Sequence, residues 1–158
     1  MSLLLRMGQY MLWADEKIWA IVKTLSDDEF SREFDESSGS IHGRYLHMAE
    51  GHSQWYIRWT HEKSEEFQLG ELAREDLFEF LQRYNERILD LIHGNGFDVA
   101  EVPLLDGRIL LPVEEMVFNI INHATYHRGQ IAFLLRRLGK SISLTDYVPY
   151  LLEKNKAV

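Results

Sequence analysis

The sequence predicts an all-α fold, a four-helix bundle with long connections and a small β-hairpin before the fourth long helix. Four segments of about 20 residues repeat apolar side chains at the helical spacing of three and four residues. Gly94 and Gly139 follow two of these segments, where helices commonly end. The chain has 158 residues, which suits a single domain over 1–158 with a core of its own.

The first long helix is predicted from about Leu3 to Leu25, and Asp15 lies on its apolar stripe. Ser26 and Glu29 then have the spacing of a capping box, which predicts a short turn of helix. Ser40 can cap the second long helix, which is expected to reach about Glu62. The third long helix is predicted over 74–93, with Gly94 as its stop.

Residues 102–110 read as two short strands around an Asp-Gly turn, although a plain loop would also fit. Pro112 suits the first turn of the fourth long helix, which is expected to end at Leu138 before Gly139. The tail from Thr145 to Leu152 is predicted to form one helical turn that docks on the bundle.

Composition excludes several classes of protein. The net charge of −8 argues against a protein that binds the phosphate backbone of nucleic acid. No segment has the roughly 20 consecutive apolar residues that a membrane span needs. The absence of cysteine excludes a disulfide scaffold and a cysteine nucleophile, and is compatible with a cytoplasmic protein. At the N-terminus only Leu3-Leu4-Leu5 precede Arg6, and this apolar run is too short for the core expected of a signal peptide.

His123 and His127 are four residues apart, so both rings project from one face of the fourth helix. His127 lies on the apolar stripe, where an unsatisfied imidazole would be costly. A shared metal ion would satisfy both rings, and hydrogen bonds to Asp15, Asn119 or a buried water are the alternative. Arg128 is expected to pair with Asp146, or to steer an anionic cofactor.

A third metal ligand would have to come from another helix. The candidates are His47, His52, Glu50 and Asp15, and His47 is favoured because Gly43 and Gly51 stand one turn away on either side of it. These glycines would leave room for a ligand, or would only permit close helix packing. His42 and His52 are turned about 140° from His47 and are interpreted as surface or rim residues.

The motifs together resemble those of the DinB/YfiT-like superfamily of damage-inducible metalloproteins, over nearly the whole chain. The segment NHATYHRGQ at 122–130 is similar to the family's NHxxHHRGQ, with Tyr126 where many members have histidine, and Leu138-Gly139 matches the LG that closes the helix. His47 with Trp55 eight residues later resembles the second-helix pattern. Trp13-Ala14-Asp15 resembles its WAN, and Thr145-Asp146-Tyr147 its C-terminal motif.

This resemblance implies a four-helix bundle, often a homodimer, in which His47, His123 and His127 bind a divalent metal. Zinc or nickel is expected first, with cobalt or iron as alternatives. Some relatives transfer a low-molecular-weight thiol such as bacillithiol, mycothiol or glutathione. The resemblance therefore favours a thiol-dependent S-transferase acting on a small electrophile; the alternatives are a metal-dependent hydrolase and a non-catalytic stress-response bundle with a structural metal. The sequence assigns no general acid or base.

Overall fold

The computed structural model describes residues 2–35, 38–63, 68–93, 99–104 and 107–156. Its elements in chain order are α1 (Leu3–Val22), α2 (Asp27–Ser31), α3 (Ile41–Thr60), a 3-10 turn (Leu69–Glu71), α4 (Arg74–His93), β1 (Val99–Leu104), β2 (Gly107–Pro112), α5 (Val113–Arg137) and α6 (Tyr147–Lys156). The long helices α1, α3, α4 and α5 confirm the predicted four-helix bundle. Within the described ranges, no helix is both long and apolar enough to cross a membrane.

Local side-chain chemistry explains where the helices begin and end. Ser26 and Glu29 form the predicted capping box at the start of α2. Ser40 Oγ accepts the Gly43 N–H at the start of α3, which ends where His61 adopts a left-handed φ of 55°. Gly139, with φ of 74°, follows the end of α5 and provides the conformation that a helix C-terminus commonly requires.

The predicted hairpin is present as an antiparallel pair of strands. Val99 pairs with Pro112 at one end and Leu104 with Gly107 at the other. Gly107 is therefore the first residue of β2 rather than part of the turn, and the connection consists of positions 105 and 106, which lie outside the described residues. The expected helix stop at Gly94 lies outside them as well.

The four long helices pack as a ring. The most extensive contacts join α3 to α4 and α1 to α5, and α3 against α5 and α1 against α4 complete the ring. One apolar cluster fills the interior, and its fully buried members include Met11, Ile41, Leu81 and Ile131. This arrangement brings α3 and α5, which carry the predicted metal ligands, directly against each other.

The C-terminal segment forms a longer helix than the single turn that the sequence predicted. α6 has ten residues because Tyr150 is buried against Tyr10 and Ala14 of α1. Two polar contacts extend this docking beyond Leu152: Lys17 pairs with Glu153, and Lys154 donates to Gln9.

Candidate metal centre

Three histidines from two helices converge where α3 packs against α5. His47 comes from α3, whereas His123 and His127 project from successive turns of α5. Each offers one ring nitrogen, and these three atoms lie within 4.8 Å of one another. The structure therefore brings together all three residues that the family resemblance implied.

The spacing and chemistry of this cluster fit a small divalent ion. The Nε2 atoms of His47 and His123 are 3.2 Å apart. Two nitrogens bound to tetrahedral zinc at 2.0–2.1 Å would be separated by about 3.3 Å, close to this value. His47 is exposed, His123 is half-buried and His127 is buried, so the cluster is open to solvent on the His47 side.

The α5 histidines are held neutral by their surroundings. Burial, together with smaller effects of the neighbouring His127 and His47, lowers the pKa of His123 to about 4. Burial also lowers the pKa of His127, against a smaller opposing effect of its hydrogen bond to Gln130. Since a metal ion binds neutral imidazole, both rings are in the protonation state for binding at neutral pH.

Gln130 fixes the orientation of His127. Its Oε1 lies 2.7 Å from His127 Nδ1, and because a carbonyl oxygen can only accept, Nδ1 is the donor in this pair. The other ring nitrogen, Nε2, is then left with its lone pair. Gln130 also lines a pocket of about 340 Å³, together with Ser38, Arg44, Tyr126, Gly129, Phe133 and Leu134.

His52 is a core residue, and its interpretation as a surface or rim residue was wrong. The side chain is 0% exposed, and burial lowers its pKa to about 3. Its Nε2 lies 3.0 Å from His123 Nδ1, and its Nδ1 lies 2.6 Å from Asn85 Oδ1. His42, on the same helix, is half-buried against the Phe30 ring.

A sequence signal for His52 was present. His52 follows Tyr45 by seven residues and Met48 by four, so it shares an apolar stripe of α3 with two buried side chains. The rotation of about 140° from His47 was correct, but it led to the wrong conclusion because α3 is buried on two sides. One side faces α5 and the other faces α4.

Asp15 and Arg128 form a buried ion pair between α1 and α5. Arg128 Nη1 donates to Asp15 Oδ1 over 2.8 Å, and both side chains are 4% exposed. Arg128 therefore does not have the Asp146 partner that the sequence suggested. Burial raises the pKa of Asp15 above its ordinary value, and the charge of Arg128 partly opposes that rise.

The remaining candidates for a third ligand are not members of the cluster. Within the described ranges, the group with metal-ligand spacing consists of the three histidines alone, without Glu50 or Asp15. Of the two glycines, only Gly51 faces the cluster: a Cβ there would lie 3.5 Å from His123 Cε1, whereas one at Gly43 would meet Ser40. Gly51 therefore lies beside His123, but a Cβ at this distance would make only an ordinary van der Waals contact, so the structure does not require glycine here.

Comparison with known proteins identifies similar chains and folds. Residues 1–156 match the sequence model described as the DinB family. Protein DinB of Bacillus subtilis is 25% identical over 163 residues, which cover 92% of each chain. The structure of YfiT from Bacillus subtilis, described as a probable metal-dependent hydrolase with an unusual four-helix bundle topology, superposes with a TM-score of 0.69 at 17% identity, over 89% of this chain and 91% of YfiT. A DinB-like protein from Bacillus cereus superposes with a TM-score of 0.62 at 15% identity, over 87% and 94% of the two chains.

Proposed function

The chain belongs to the DinB family, and on that premise we propose that it binds one divalent metal ion through His47, His123 and His127 and uses it to activate a nucleophile. The observation that carries this proposal is the convergence of three ring nitrogens within 4.8 Å of one another. Three neutral imidazoles would leave a bound ion its +2 charge and an open position, and the ion would then supply Lewis acidity that lowers the pKa of an entering thiol or water.

We propose that the nucleophile is a low-molecular-weight thiol and that the reaction is an S-transfer. The chain has no cysteine, so a sulfur nucleophile has to enter from solution. Held by His47, His123 and His127, a divalent ion would favour the thiolate form of such a thiol. A water nucleophile normally also needs a positioned general base, and the cluster contains no carboxylate among the described residues.

The proposed step balances as a substitution. The thiol loses its proton to solvent on entering the site, and its sulfur forms a bond to an electrophilic carbon. The bond from that carbon to the leaving group breaks, and the leaving group departs with the electron pair. The pocket of about 340 Å³ beside Gln130, with Tyr126 and Phe133 in its wall, offers room for the electrophile.

Hydrolysis is the second candidate, and the description of YfiT as a probable metal-dependent hydrolase supports it. The two reactions differ in their dependence on added thiol. Glutathione with an aryl chloride, and a nitrophenyl ester without thiol, are suitable probes. Conjugate formation only when glutathione is present would support S-transfer, whereas thiol-independent ester cleavage would support the hydrolase.

Metal content tests the site itself. Untagged protein is expected to contain about one divalent ion per chain by elemental analysis, and His123→Ala is expected to lose it while retaining helicity. His42→Ala on α3 is a matched control and should retain the ion, because His42 lies outside the cluster. Metal retained in His123→Ala, or absent from the wild type, would overturn the ligand assignment. The expected homodimer and cytoplasmic location remain predictions.

A further inference from the structure

A chain of hydrogen bonds leads from the metal cluster across the whole core. His123 Nδ1 lies 3.0 Å from His52 Nε2, and His52 Nδ1 lies 2.6 Å from Asn85 Oδ1. Asn85 Nδ2 donates to Asp15 Oδ2 over 3.4 Å, and Asp15 Oδ1 accepts from Arg128. His52, Asn85, Asp15 and Arg128 are all buried.

The ion pair of Arg128 with Asp15 determines which group donates in every hydrogen bond of this series. A guanidinium can only donate, and the ionised Asp15 carboxylate opposite it can only accept. Asn85 must therefore present its NH₂ group to Asp15, which leaves its carbonyl oxygen facing His52. That oxygen requires a hydrogen on His52 Nδ1.

The same logic continues to the metal cluster. With its hydrogen on Nδ1, neutral His52 has only a lone pair on Nε2, so it must accept from His123. His123 then carries its hydrogen on Nδ1. Its Nε2, which lies 3.2 Å from His47 Nε2, is left with the lone pair that a metal ion requires.

We propose that His52 and Asn85 are positioning residues that hold His123 in the tautomer able to bind the metal. For metal affinity this inference rests on the proposed function, whereas the tautomer is a property of the metal-free protein. The opposite tautomer would point an N–H at the ion, and it would require reversal of each hydrogen bond back to Asp15. Reversal stops there, because an ionised carboxylate has no hydrogen to donate.

The two α5 ligands are therefore oriented by different means. Gln130, one turn from His127 on the same helix, orients that ring locally. The orientation of His123 depends on α3, α4 and α1, the helices that carry His52, Asn85 and Asp15. Substitution of Asn85, which touches no metal ligand directly, is thus expected to weaken metal binding through His52.

The first test is the tautomeric state of the wild type, which requires no variant. Nitrogen-15 NMR of metal-free protein near neutral pH should show the hydrogen on Nδ1 in both His52 and His123. Detection of the Nε2–H form at His123 would overturn the proposal. This readout is independent of any activity.

The second test is zinc affinity, measured by competition with a chromogenic chelator. His52→Leu and Asn85→Leu should each lower the affinity by about 10-fold to 100-fold. His52→Gln should restore most of it, because the Gln carbonyl can still accept from His123 and its NH₂ can still donate to Asn85. Ile88→Val, one turn from Asn85 on α4 and also fully buried, should leave the affinity within about twofold.

The outcomes separate the two proposals. Equal affinity in His52→Leu and the wild type, or an affinity in His52→Gln as low as in His52→Leu, would overturn the positioning role while the metal site stands. A wild type with the expected tautomers that binds no zinc would overturn the proposed function and leave the tautomer assignment standing.

Discussion

Asp15 and Arg128 are charged residues in the middle of a helical core, and each is buried to the same extent. Removal of one partner from a buried ion pair leaves an uncompensated charge in a medium of low polarity, which typically costs about 3–5 kcal/mol. Arg128→Met should therefore lower the free energy of unfolding by about that amount, as measured by urea denaturation.

The double variant Asp15→Asn/Arg128→Met should recover most of this loss, because no charge then remains buried. Arg137→Met is the matched control, since Arg137 pairs with Asp35 where the side chains are 42% and 45% exposed. A surface pair contributes about 1 kcal/mol or less. A loss in Arg128→Met no larger than in this control would contradict the importance of the buried pair.

The buried histidines predict how the stability of the metal-free protein depends on pH. In the unfolded chain a histidine binds a proton near its ordinary pKa of 6.5, but burial lowers the pKa of His52 to about 3 and that of His123 to about 4 in the native state. At a pH between the unfolded and the native pKa values, the unfolded chain binds more protons than the native protein does. The free energy of unfolding should therefore fall as the pH is lowered from about 6.5 towards 4.

Urea midpoints at pH 7 and pH 4.5, with a chelator present, measure this dependence. His52→Gln removes one of the titrating groups and should flatten the slope relative to the wild type. The comparison of slopes is needed because the raised pKa of Asp15 acts in the opposite direction. Identical slopes would contradict the depressed pKa of His52.

Single-residue patterns predicted part of the site. The spacing of His123 and His127 on an apolar stripe was sufficient to place both rings together, and His47 was favoured by the nearby glycines and the family resemblance. The environment of His52 and the pairing of Arg128 with Asp15 were missed. Both depend on which helices become neighbours, and the periodicity of one helix carries no information about that.

At the scale of elements, α5 offers the same substitution in two different backbone environments. Gly129 lies in the helix on an exposed face, and a Cβ added there would meet no heavy atom within 4 Å. Gly139 follows the helix with φ of 74°, a conformation that disfavours a side chain. Gly129→Ala should therefore raise the free energy of unfolding by about 0.5–1 kcal/mol, whereas Gly139→Ala should lower it by about 1 kcal/mol.

Thermal or urea denaturation of the two variants checks the opposite signs. A destabilising effect of Gly129→Ala would contradict a solvent-exposed face at this position. A neutral Gly139→Ala would contradict the left-handed conformation at the end of α5.

The elements themselves were largely predictable because their signals are local. Arg74–His93 forms α4 as expected, and the predicted hairpin is present, although its strands extend beyond 102–110 to Val99 and Pro112 and Gly107 lies in β2 rather than in the turn. The long α6 was underestimated because its stability comes from burial of Tyr150 against α1, which is a contact between distant parts of the chain.

At the scale of the whole molecule, a bound metal would join α3 to α5 and stabilise the folded chain. Zinc at about 100 times its dissociation constant should add about 2.7 kcal/mol, which corresponds to a rise of about 5–10 °C in Tm for a protein of this size. His47→Ala should abolish the rise and His42→Ala should retain it. An equal rise in His47→Ala would contradict a contribution of α3 to the site.

The hydrogen-bonded chain behind His123 takes at least one residue from each of the four long helices, with Asp15 on α1, His52 on α3, Asn85 on α4 and Arg128 on α5. In a folding intermediate that lacks any one of these helices, this series of hydrogen bonds is interrupted and the tautomer of His123 is not fixed. We therefore expect metal capture to follow the docking of the last helix rather than to nucleate folding. Loading with metal would then mark a chain as correctly and completely assembled.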